Sequence, residues 1–337
     1  MAWQMKPSRS TIWNLIKIVI AISLIGVVFS KTNLKEVISL RSRLSFTWLA
    51  ASFFLVTATT GCIARRYWIL IKRQVPFPQF LNLVILQNAL SNFIATSAGA
   101  VSYLTLLRTE YHIRIRQGVF SLIVAKVGDL LAVCLVLGIA SYYVWSEITV
   151  LHGVILVILT ASSLCLLLFF LAITLHRPFI SMVYHLVDRL QLCRYPIFTN
   201  LLKLISELEE QNTTVFFRSL APVIGFSCLI ILLTSLLGYC NVKLFAVQIT
   251  PWPVIFMTSL IQILTMVPIQ VFGGLGLYDV TVLYLYGLFG IPSSEIASVV
   301  ISLRLIAYLQ NLLLLAYLPL EKWARRKARD RSDCLVM

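Results

Sequence analysis

Apolar runs of membrane length alternate with short polar turns along this chain, and two of those runs are interrupted. Uninterrupted runs cover about Ile12–Phe29, Ser45–Ala64, Gly118–Trp145, Val150–Leu175, Leu220–Cys240 and Glu295–Leu318. A bilayer-spanning helix needs ~20 apolar residues, so each of these predicts one span. The interrupted stretches are Pro78–Leu107, broken around Gly99, and Trp252–Gly290, broken at Pro268–Gly276. Each arm is too short to span with ease, which predicts a hairpin that enters the membrane and returns. A broken helix leaves backbone groups that lipid cannot satisfy, so both breaks must lie in protein or face a watery cavity.

The order span, span, hairpin, span occurs twice, and the two hairpins enter from opposite sides. Paired breaks in corresponding places are the mark of inverted repeats. The pattern therefore predicts an all-α polytopic membrane helix bundle of two inverted repeats, each with a broken re-entrant hairpin. The chain reads as a single integral membrane domain, 1–337, with repeat one at about 11–146 and repeat two at about 150–320. Between them, 177–219 reads as a cytoplasmic linker. Its apolar stripe of Phe198, Leu201, Leu202, Ile205 and Leu208 predicts an amphipathic helix. A basic cytoplasmic tail occupies 321–337. The N-terminal run resembles a signal peptide in outline, but Lys17 interrupts it and no small-residue cleavage pattern follows, so it is expected to stay as the first span.

Charge orients the bundle. Arg65, Arg66, Lys72 and Arg73 form one basic turn, Arg108, Arg114 and Arg116 a second, and the tail a third, while the turns near Glu147 and Asn241–Pro251 carry only Lys243. The positive-inside rule places the basic turns and both termini in the cytoplasm of a bacterial plasma (inner) membrane. Lys31, Lys35, Arg41 and Arg43 run against the rule and are outweighed.

Composition supports the class: 59% of residues are hydrophobic and 12% charged, against about 25% charged in soluble domains. The net charge of +15 sits in short loops, where orientation and anionic head groups account for it. No basic module with interleaved aromatics suggests nucleic-acid binding. Seven cysteines form no CxxC pair, and the four histidines lack metal-ligand spacing. The motifs of metalloproteases, serine hydrolases and P-loops are missing. No metal, cofactor or catalytic residue is expected, and the chain does not read as an enzyme.

The candidate chemistry is charge within apolar runs. Lys126 and Asp129 are three residues apart on one helix face, either a self-neutralised pair or a polar patch on a pathway. Arg304 has no carboxylate within a turn of its own segment; Asp279 is the nearest candidate, and a lipid phosphate the alternative. Gly99, Gly273, Gly274 and Gly276 permit tight turns and close approach. A half-helix starting near Leu275 would aim its N-terminus at a cavity and attract an anion. Asn92 and Gln270 stand at the two breaks, with Gln87, Asn88 and Gln262 nearby. These define a candidate substrate site of Arg304, Asp279, Lys126, Asp129, Gly273, Gly274, Gly276, Gly99, Gln270 and Asn92.

The stretch from Val267 to Asp279, which reads Val-Pro-Ile-Gln-Val-Phe-Gly-Gly-Leu-Gly-Leu-Tyr-Asp, is followed by Gly290-Ile291-Pro292 and Ser302-Leu303-Arg304-Leu305. Together these resemble the C-terminal signature of the lysylphosphatidylglycerol synthase transmembrane (flippase) domain family. Ala98-Gly99 and Ala125-Lys126-Val127-Gly128-Asp129 echo its first half. The chain departs from the pattern in having Asp279 where Glu is frequent and Val127, beside Lys126, where Arg is frequent. The resemblance implies a stand-alone lipid-handling membrane protein without the soluble synthase domain. The expectation is a flippase or transporter of an anionic or polyprenyl-linked lipid. The alternative is a non-transporting accessory of a lipid-modifying enzyme or glycosyltransferase. Expected partners are membrane lipids, with a second copy or such an enzyme left open.

Overall fold

The computed structural model describes residues 44–174, 213–266, 277–291 and 293–321. Within them the chain is helical, without strands. The helices are α1 Phe46–Leu70, α2 Phe77–Phe93, α3 Thr96–Thr109, α4 Ile115–Tyr143, α5 His152–Thr174, α6 Thr213–Leu244, α7 Pro251–Met266, α8 Leu277–Leu288 and α9 Ser293–Leu315. Five stretches are long and apolar enough to cross a membrane: Phe46–Leu70, Ile115–Tyr143, Thr149–Leu168, Leu220–Leu244 and Ile296–Glu321. They match the five uninterrupted runs that fall within the described residues; the run Ile12–Phe29 lies outside them. Most of the linker and the tail also lie outside.

Two boundaries differ from the sequence expectation. The second apolar run extends to Leu70, so Arg65 and Arg66 belong to α1 and not to the basic turn that follows it. Residues 213–219, expected in the linker, form the first two turns of α6, and the helix continues through Pro222. In α1 the helix runs on because Tyr67 and Leu70 are buried in the core and Arg66 is itself buried.

The first interrupted stretch is a helical hairpin. Its arms have 17 and 14 residues, about 25 and 21 Å at the helical rise, so each is shorter than the ~30 Å hydrocarbon core. The break falls at Ile94–Ala95, where Ala95 is extended at φ −168° and ψ 154°. Gly99 lies one turn beyond. The Tyr111 hydroxyl donates to the Gln79 carbonyl at 3.1 Å, which holds the end of α3 beside the start of α2. Gly99 allows the arms to close: a Cβ there would stand 1.8 Å from Ser91 Oγ and 2.7 Å from the Gln87 carbonyl oxygen.

The second hairpin, α7 with α8, closes at the opposite end. Phe256 near the start of α7 meets Phe289 just after α8, with ring centroids 6.3 Å apart. Tyr143 at the end of α4 stacks on Trp252 at 3.9 Å. The Ser45 amide donates to the Leu244 carbonyl, joining the start of α1 to the end of α6 at this same end. At the other end Asn82 Nδ2 donates to Glu321 Oε2 at 2.9 Å, joining the start of α2 to the chain beyond α9.

Each hairpin has its own core. Around the first, Tyr67, Phe80, Tyr103, Leu107 and Val124 are buried. Around the second, Leu137, Ile155, Leu244, Phe256, Leu285 and Ile296 are buried. The outward faces of the long helices carry exposed Leu164, Leu167, Leu312 and Leu313, the surface a bilayer covers. At the basic end Trp68 meets the guanidinium groups of Arg65 at 4.4 Å and Arg73 at 5.2 Å, an arrangement suited to the membrane–water boundary.

Candidate functional site

A cavity of about 420 Å³ opens where α2, α6, α7, α8 and α9 converge. That volume falls within the ~300–1,000 Å³ of small-ligand sites. α7 and α8 form one side with Thr258, Gln262, Tyr278 and Tyr286; α9 brings Arg304; α6 brings Asn241; the last turn of α2 brings Ser91 and Asn92. The tip of the first hairpin thus reaches the wall of a cavity built mainly by the second. It is held there by Asn92 Nδ2 donating to Asn311 Oδ1 at 3.0 Å and by Phe93 stacking on Tyr308 at 5.4 Å.

Arg304 is the cation among the described lining residues. Its Nε donates to Asp279 Oδ1 at 2.9 Å, and the guanidinium carbon lies 4.8 Å from the Tyr278 ring centroid. Asp279 is in the first turn of α8, where the helix dipole favours a negative charge. The pairing expected from the sequence is therefore present. The helix N-terminus expected to receive a ligand anion carries this chain's own carboxylate. Arg304 is 17% exposed and Asp279 6%, so the guanidinium is the partner that meets the cavity, and Asp279 holds it from behind.

A polar relay supports the opposite wall. Gln310 Nε2 donates to Ser52 Oγ at 2.7 Å, and Ser52 Oγ donates to Asn241 Oδ1 at 2.9 Å. The relay crosses α9, α1 and α6, and it fixes the Asn241 carboxamide so that its NH2 group remains as a donor.

The charged pair expected on α4 does not form. Lys126 is exposed. Asp129 instead takes a bidentate contact from Arg66 of α1, with Nη1 on Oδ1 and Nη2 on Oδ2, the latter at 3.2 Å. Ser227 of α6 accepts from Arg66 Nη1 at 2.7 Å and donates to Asp129 Oδ1 at 3.1 Å. The reason is angular: residues three apart are offset by about 60° around a helix, enough to turn Lys126 outward while Asp129 faces α1. Gly128 brings α6 close, since a Cβ there would lie 2.7 Å from Val223 Cγ1 and 2.9 Å from Ser227 Oγ.

Of the ten expected site residues, Arg304 and Asn92 line the cavity, and Asp279 stands behind Arg304. Lys126 and Asp129 are not among the lining residues. Gly99 is buried between the hairpin arms, where it serves close packing and does not open to the cavity. Gly273, Gly274, Gly276 and Gln270 lie outside the described residues. Sequence reasoning missed Arg66, Ser227, Asn241 and Thr258. Arg66 was hidden by its neighbour Arg65, which made the two read as a cytoplasmic turn. The others are single polar residues in apolar runs and carry no local signal.

The sequence model of the family described as lysylphosphatidylglycerol synthase TM region matches residues 14–314, and the chain belongs to that family. Neither a curated protein nor a solved structure matches it.

Proposed function

We propose that this member of the family is a lipid flippase or transporter that receives an anionic head group, of a phospholipid or a polyprenyl-linked lipid, at the Arg304 cavity. In this reading the basic end of the bundle faces the cytoplasm of a bacterial inner membrane. The observation that supports it most is the Arg304 guanidinium in the wall of a 420 Å³ cavity to which both hairpins contribute. A guanidinium suits a phosphate, which it can meet through two parallel N–H bonds. An arginine inside an apolar bundle is costly, and the Asp279 contact offsets that cost while leaving the cation at the cavity edge. Two hairpins that close at opposite ends are the arrangement expected of inverted repeats, in which access alternates about a central site. The proposal needs no chemical step at the cavity.

The test is lipid movement. Purified protein in liposomes should move fluorescent phosphatidylglycerol between leaflets faster than empty liposomes do, and Arg304→Ala should lower that gain about 30-fold. Equal rates with and without protein would overturn transport and favour the non-transporting accessory reading.

A further inference from the structure

We propose that the Arg65–Trp68–Arg73 cluster at the basic end of α1 is a lipid site separate from the Arg304 cavity. It holds the phosphate of an anionic phospholipid whose acyl chains lie along the outward face of α1.

The cluster is built on a turn. After α1 the chain passes through Lys72 and Arg73, both left-handed, at φ 59° and 57°, a region that residues with side chains enter as singles far more than in succession. The Lys72 amide donates to the Ile69 carbonyl and the Arg73 amide to the Trp68 carbonyl, each at 3.0 Å. Trp68 Nε1 in turn donates to the Val75 carbonyl at 2.6 Å. The turn thus folds back on the indole and pins it. It also brings Arg73 to the ring that Arg65 already meets: their guanidinium carbons lie 5.2 and 4.4 Å from its centroid. Phe77 closes the cluster, its centroid 5.7 Å from the Trp68 ring and 5.7 Å from the Arg65 guanidinium carbon.

Orienting the bundle requires positive charge at this end but not this placement. Two guanidinium groups on one ring stand within about a Debye length of each other and repel. Both residues are exposed, and neither is in an ion pair among the described residues. A phosphate between them relieves the repulsion and accepts charge-assisted N–H bonds from both forks.

The surface below the cluster points to a diacyl lipid as the source of that phosphate. Phe54, Ala58, Gly61, Arg65 and Trp68 fall within about 40° of one line along α1. Phe54 is 71% exposed, and a Cβ added at Gly61 would meet nothing within 4 Å. From Trp68 to Phe54 the stripe runs about 21 Å, longer than one leaflet's share of the ~30 Å hydrocarbon core. Acyl chains can follow this apolar face while the phosphate stays at the cations; a free phosphate ion gains nothing from it.

The experiment measures lipid retention in an Arg304→Ala background, which takes away the cavity's contribution. Detergent-purified protein is incubated with equimolar phosphatidylglycerol and phosphatidylcholine, and the retained lipids are measured by mass spectrometry. Phosphatidylglycerol should predominate by ~10-fold or more. Adding Arg65→Ala with Arg73→Ala should lower its retention by ~30-fold, about fivefold for each cation. Arg108→Ala with Arg114→Ala removes the same charge from exposed positions at the same end and should change retention by no more than ~3-fold. If the first alanine pair does not purify as monodisperse protein, Arg65→Gln with Arg73→Gln keeps the side chains polar and long and carries the same expectation. Equal losses from the two double variants would reduce the effect to diffuse charge and overturn the site, as would no loss from the first. Equal retention of phosphatidylcholine would overturn the anionic head group. Displacement by soluble glycerol 3-phosphate as effective as by phosphatidylglycerol would overturn the diacyl lipid as occupant. Each of these failures leaves the Arg304 reading standing, because the background lacks that side chain.

Discussion

The Arg66–Asp129 and Arg304–Asp279 pairs have the same composition and different surroundings. The first is enclosed by α1, α4 and α6, with side chains 3% and 13% exposed and a serine bridging both partners. The second has its aspartate buried and its arginine at the edge of a cavity. An ion pair enclosed by three helices does not face the cavity. An ion pair whose cation borders an open, polar space still has donors facing that space. On the function proposed above, the first pair holds the bundle together and the second meets the substrate.

The sharpest way to break this comparison is to unpair the enclosed site. Asp129→Ala leaves Arg66 buried without its carboxylate, at a cost of about 3–5 kcal/mol. The yield of monodisperse protein and its thermal midpoint in detergent should fall steeply. The double variant Arg66→Met with Asp129→Leu should recover most of the loss, because no charge is left unpaired. A double variant that folds but no longer moves lipid would show that this pair also takes part in transport.

Arg304→Ala should show the reverse balance. Retention or movement of an anionic lipid should fall about 30-fold, the equivalent of ~2 kcal/mol. The thermal midpoint should drop less than for Asp129→Ala, since the cavity gives Asp279 access to water. The double variant Asp279→Asn with Arg304→Gln separates the roles further: it should fold and remain inactive. Full activity in that variant would leave the pair a structural role only.

A smaller effect is expected at the glycines. Gly99→Ala forces the first hairpin apart and should cost about 1–3 kcal/mol. Gly138, also helical, has nothing within 4 Å of an added Cβ, so Gly138→Ala should be stabilising by about 0.5–1 kcal/mol through helix propensity. Thermal midpoints of the two variants, measured side by side, should move in opposite directions. A shared direction would mean that the hairpin arms are not held as closely as the Gly99 contacts indicate.

The smallest effect belongs to Lys126→Ala. With its side chain exposed, the change should alter stability by no more than ~0.5 kcal/mol and leave lipid movement intact. A loss of transport here would return Lys126 to the pathway and blur the distinction between enclosed and open charges.

What the sequence determined by itself is the class. Apolar runs of membrane length, and the interruption of the first short stretch near Gly99, which falls at Ile94–Ala95, are properties of consecutive residues. They obey a solvent, the bilayer, that acts on every segment alike. The Arg304–Asp279 pair was legible for a related reason: an arginine in an apolar run needs a partner, and the second half held few carboxylates. Only the tertiary structure decided which face of each helix meets which neighbour. A difference of about 60° between Lys126 and Asp129 sent one outward and the other to Arg66, a residue whose place in α1 looked like a turn. The cavity wall likewise joins Ser91, Asn241, Thr258 and Arg304 from four helices far apart in sequence. Single polar residues carry no periodic signal of their own; they become a site when packing brings them around one space.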